Sequence, residues 1–145
     1  VGAVGIKRYL GDSYQSGNFW FHTAKTDDTS SDASFAERGT KFLPDSEAQW
    51  FFDSWYALAL EKLGNRYGDA KLREESLRFL NRALAQITPV TPVLGADGNP
   101  VPPTALPESY NTVVRAKTGE RAFAPSPITP LNWAKAALRL ALHQK

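Results

Sequence analysis

Between residues 50 and 63 the apolar side chains Trp50, Phe51, Phe52, Trp55, Tyr56, Leu58, Leu60 and Leu63 spread around more than half of a helical circumference. Such breadth predicts a helix over 46–63 that is buried on most sides. Ser46 and Gln49 fit a capping box, in which each side chain satisfies a free amide at the helix start, and Gly64 supplies a left-handed stop. The pattern over 70–87 differs in kind. Asp69 is placed to cap it, Leu72, Leu77, Leu80, Leu84 and Ile87 make one stripe, and Arg73, Glu74, Glu75, Arg78 and Arg82 are left for water. The two segments read as an αα-hairpin with a buried inner helix and a half-exposed outer one. A third helix is predicted over 130–142, with Thr129 as cap and Pro130 in the first position, where a missing amide costs nothing. Leu131, Trp133, Ala134, Ala137, Leu138, Ala141 and Leu142 give it a wide apolar surface, and Lys135, Arg139 and His143 a narrow polar edge at spacing four.

Elsewhere the periodicity fades. Residues 1–44 are loop-rich, and the polar run from Thr23 to Asp32 reads as a surface excursion. From Thr88 to Pro107 there are six prolines, with a turn at Asp97-Gly98-Asn99-Pro100, so helix is excluded there by lost donors and ring clashes. A long irregular stretch of this kind, 88–128, is expected to serve a site. The pattern as a whole predicts an all-α fold without a substantial sheet.

Composition narrows the function. The chain has 145 residues, 42% hydrophobic and 12% aromatic, which is a globular make-up. A net charge of +2, scattered along the chain, suggests neither nucleic acid nor a membrane surface as partner. The absence of cysteine excludes disulfides and thiolate chemistry. His22 and His143 are too far apart for a local metal cluster, so no metal or other cofactor is expected. There is no apolar run long enough to span a bilayer and no signal-peptide pattern at the start, and the compartment is left open. Val1, with no methionine anywhere in the chain, reads as a cut end.

Three short motifs are more specific. Arg8-Tyr9-Leu10-Gly11-Asp12-Ser13-Tyr14, followed by Gly17-Asn18 and Trp20, resembles a signature of family 15 glycoside hydrolases, the glucoamylases and glucodextranases. Pro107-Glu108-Ser109-Tyr110 is similar to that family's catalytic-base loop, with Ser109 where glutamine is usual. Gly119-Glu120 and Pro130-Leu131-Asn132-Trp133-Ala134-Lys135-Ala136 resemble the segments that follow it. The resemblance runs in the family's order from Gly5 to Leu142. It implies that residues 1–145 are the C-terminal arc of an (α/α)6 toroid, one part of a single catalytic domain whose remainder is a partner. It also implies an inverting, exo-acting α-glucosidase that releases glucose from the non-reducing ends of α-glucans or oligosaccharides. The polar stretch 23–44 is instead similar to an insert of bacterial members and of the regulatory α and β subunits of phosphorylase kinase. Those subunits imply the alternative, a non-catalytic regulatory or glucan-binding domain.

An inverting glycosidase needs two carboxyl groups, one to protonate the leaving oxygen and one to take a proton from the attacking water. By the residues alone Glu108 is a loop glutamate beside a proline-rich stretch, and an exposed, idle carboxylate is the favoured reading. The resemblance makes it the general base, and places the general acid upstream of Val1, so residues 1–145 alone are expected to be inactive. The resemblance likewise assigns Arg8, Asp12, Trp20 and Tyr110 to substrate binding. Arg8 offers a fork of donors suited to two sugar hydroxyls, Asp12 is four residues away to orient it, and Trp20 has a face suited to the CH side of a sugar ring. Tyr14 is a further possible donor. Trp50, Trp55 and Trp133 read as helix packing.

Overall fold

The computed structural model describes residues 1–9, 11, 12, 14, 47–114, 118 and 120–144. Among these residues three helices pack with two antiparallel sheets, so the fold is mixed α and β, and the all-α arc of an (α/α)6 toroid that the resemblance implies is overturned. In chain order the elements are β1 (Gln49–Trp50), α1 (Asp53–Tyr67), α2 (Ala70–Ala85), β2 (Val93–Leu94), β3 (Pro100–Val101), β4 (Ser109–Val114), β5 (Arg121–Pro125) and α3 (Asn132–His143). The strands β1, β4 and β5 form one sheet in that order, while β2 and β3 form a separate hairpin.

Helix α1 starts later than expected because its first residues are taken by the sheet. The amide of Trp50 donates to Ile6 at 2.8 Å and the amide of Ile6 to Trp50 at 3.2 Å, which holds Trp50 extended. Gln49 caps no helix; its Oε1 accepts from the amides of Val4 (2.7 Å) and Gly5 (3.1 Å). Phe52 stands at the N-cap without a side-chain bond, and Ser46 lies outside the described residues. The helix also runs past Gly64 and closes at Gly68, whose φ of 65° is the left-handed conformation glycine tolerates. Gly64 serves a different end: a Cβ there would fall 2.7 Å from Arg73 Cγ and 3.1 Å from the Arg73 amide, so α1 and α2 approach closely at this point.

Nor is α1 buried on most sides. Its buried residues, Asp53, Ser54, Ala57, Leu60, Glu61 and Gly64, make one stripe, while Trp55, Tyr56 and Leu63 are exposed. Helix α2 is amphipathic, as the pattern predicts, and capped by the Asp69 carboxylate on the amides of Lys71 and Leu72. Its stripe is turned, however: Ser76, Phe79, Leu80 and Ala83 are buried, whereas Leu77 and Leu84 are exposed. Ser76 donates to the Ala57 carbonyl at 2.8 Å, a polar contact that lets the two helices sit close. The core gathers Ala57, Leu60, Phe79, Leu80 and Ala83 with Trp50, Phe51, Leu106, Ala134, Leu138 and Ala141.

Helix α3 begins at Asn132 rather than at Pro130. The Leu131 amide donates to the Leu106 carbonyl at 2.8 Å, fixing that residue in an extended conformation, and Thr129 turns its hydroxyl to Ser126 instead of capping. The segment 88–128, expected to be loop, holds four strands. β2 and β3 flank the turn at residues 97–99, where Asp97 accepts from the Asn99 amide. Ser109–Val114 pairs with Arg121–Pro125 in a register that sets Tyr110 opposite Pro125 and Thr112 opposite Phe123. Aromatic and β-branched residues favour such pairing. Among the described residues no helix is long and apolar enough to cross a membrane.

Candidate functional site

The sheet brings together segments that the sequence separates by about a hundred residues. Ile6 bridges Trp50, and Trp50 in turn pairs with Ser109. Neighbouring strands lie about 4.8 Å apart, so Arg8 and Glu108, which flank the outer members of this row, come within reach of each other.

Arg8 is held on several sides. Its Nε donates to Asp12 Oδ2 at 2.7 Å and its Nη2 to Oδ1 at 2.8 Å, a two-point fork that raises its already high pKa further. Asp12 is fully buried, and Trp50 Nε1 donates to Oδ2 at 3.0 Å. The guanidinium carbon lies 4.0 Å from the centre of the Trp50 ring, with the Tyr14 and Tyr9 rings at 5.0 and 5.7 Å. Cations favour such aromatic faces. Tyr14 packs its own ring on Trp50, 4.9 Å centre to centre.

Glu108 closes the group. Tyr14 Oη donates to Glu108 Oε2 at 3.2 Å, and the backbone of Tyr14 accepts from the Asn111 side chain at 2.8 Å. The Glu108 amide donates to the Ile128 carbonyl, which anchors the loop end of β4. Burial pushes the Glu108 carboxyl above the usual carboxylate range; the Tyr14 hydroxyl and the charge of Arg8 each pull it part of the way back. Ser109 is fully buried and donates to Asn111 Oδ1, so the support of Glu108 comes from Tyr14.

Of the expected site residues, Glu108, Arg8 and Asp12 are brought together. Tyr110 is turned elsewhere: its hydroxyl donates to the Gln86 carbonyl at 3.0 Å, and burial raises its pKa. Trp20 lies outside the described residues. Trp50, read from the pattern as packing, is the addition that sequence reasoning missed. A buried tryptophan needs a partner for its N–H, and the buried acid four residues after Arg8 was the available signal. Among the described residues no three His, Cys, Asp or Glu side chains are grouped to hold a metal ion.

The arrangement provides a half-buried carboxylate with one oxygen on a phenol, beside a cation locked in a separate pair. A carboxylate of this kind can accept a proton from water. None of the family models, curated proteins or solved structures compared with the chain matches it.

Proposed function

We propose that Glu108 is the general base of an inverting α-glucosidase, acting on α-glucans or oligosaccharides, with the general acid supplied from outside residues 1–145. The observation that carries this reading is the convergence on Glu108 of Tyr14, bonded to it across 94 residues of chain, and of Arg8, which Asp12 holds. Oε2 is held by the phenol, which leaves Oε1 to take the proton of a water attacking the anomeric carbon from the face opposite the departing oxygen. The fork of Arg8 is two-thirds shielded, with its Nε and Nη2 edge on Asp12, so its remaining edge is the one to meet sugar hydroxyls.

The test is Glu108→Gln in the intact protein that carries this sequence. The amide keeps the shape and the Tyr14 contact but cannot accept the proton, so kcat should fall by about 10²–10⁴ with KM little changed. Near-normal turnover in that variant would remove Glu108 from the base role. An intact protein that binds glucan but hydrolyses no α-glucoside would instead favour the regulatory reading.

A further inference from the structure

Arg8 and Glu108 are opposite charges in one half-buried site, yet no hydrogen bond or ion pair joins them: both bonds of the arginine fork go to Asp12. An arginine beside a carboxylate ordinarily forms a short charge-assisted pair, so something keeps this one away. Trp50 touches both members of the existing pair. Its face lies under the guanidinium at 4.0 Å, while its edge nitrogen donates to Asp12 at 3.0 Å. Trp50 is itself held: it is 6% exposed, its backbone pairs with Ile6 on one side and Ser109 on the other, and its ring stacks on Phe52 at 5.8 Å with 7° between the planes.

We infer that Trp50 is a positioning residue: it pins Arg8 flat against its ring and onto Asp12, and so prevents the guanidinium from swivelling to pair with Glu108. The consequence is a carboxylate with one oxygen that none of the described residues bonds. Without the ring, the guanidinium is free to swing, give up one of its two bonds to Asp12 and turn the released edge to Glu108. That bridge would occupy the oxygen that the proposed base uses. The inference rests on the reading of Glu108 as a base only for its use in catalysis; the placement of Arg8 is independent of it.

The charged and titratable groups that face Glu108 among the described residues are Tyr14 and Arg8. A change at Trp50 that brings Arg8 onto Glu108 must therefore lower the Glu108 titration midpoint. The experiment is a carbon-13 titration of side-chain-labelled glutamate, with the Glu108 signal assigned by its loss in E108Q. In W50L the midpoint should drop by at least one pH unit, a tenfold loss of proton affinity. D12N, which removes the competing carboxylate, should move it the same way, while W50F, which keeps an aromatic face, should stay near the wild type. If folded W50L and D12N both leave the midpoint where it was, the inference fails. Should neither variant fold, the Arg8 side-chain resonances of the wild type decide. A pinned guanidinium shows separate, ring-shifted Nη protons, and freely averaging ones would overturn the inference. Hydrolysis is read separately: a shifted midpoint in a protein that cleaves no glycoside would sink the base reading and leave the role of Trp50 standing.

Discussion

At Glu108 the fold holds a carboxyl group whose ionisation it opposes, because burial outweighs the help of the Tyr14 hydroxyl and the Arg8 charge. A group whose folded pKa lies above its unfolded value binds its proton more tightly in the native state. Stability from it is fully present below the unfolded value, about 4.3 for glutamate, and is lost as pH rises through the raised folded value. Glu108→Gln removes that loss, so the variant should melt at a higher temperature than wild type at pH 7. The difference should vanish below about pH 4, where both side chains are neutral. Tyr14→Phe acts in the opposite sense on the same carboxyl. It deletes the donor that favours the charged form, so the Glu108 midpoint should rise, and with it the acid limb of any pH–rate profile. A limb that stays put in a folded Tyr14→Phe protein would mean that the 3.2 Å contact does not form in solution.

Among the elements, the α1–α2 pair depends on a glycine that has no conformational need to be one. Gly64 lies inside a helix, where alanine is ordinarily better by about 1 kcal/mol. Here the added methyl would meet the Arg73 backbone and side chain, and forcing a packed contact apart costs about 1–3 kcal/mol. Gly64→Ala should therefore lower the urea midpoint, and an unchanged or raised one would show that the helices separate at little cost. What the sequence made legible follows the range of the interaction. Asp69 capping α2 is a contact over two to three residues, and it was readable; so was the Arg8–Asp12 pair at spacing four. Trp50-Phe51-Phe52 is an apolar run too short for its period to separate strand from helix, and the strand character of Trp50 comes from Ile6 and Ser109, far away in the chain. Ser109–Val114 carries β-branched and aromatic residues but no regular polar/apolar alternation, so its strand was not legible beside the prolines before it. Trp50 was hidden at the site for the same reason as β1: its role exists only once the N-terminal segment is laid beside it.

Over the molecule as a whole, the described residues include a broad exposed apolar surface. Trp55 and Trp133 are 53% and 60% exposed, and with Leu58, Ala59, Ala136 and Leu140 they line an open groove of about 380 Å³ between α1 and α3. Contiguous apolar patches are unusual on isolated soluble monomers, so residues 1–145 alone should self-associate with rising concentration in sedimentation experiments. Trp133→Lys should reduce that tendency. A wild-type fragment that stays monomeric at high concentration would show that the groove is tolerated in water. Sheet register also sets Arg8 and Tyr14 beside Glu108, which we propose to be a base. The most direct measurement of that role is proton NMR of the first sugar released from an α-linked substrate by the intact protein. Water activated by Glu108 and attacking opposite the leaving oxygen must give β-glucose first, which then mutarotates. Release of α-glucose first would contradict the account, because retention requires a covalent intermediate and a nucleophile in place of a base.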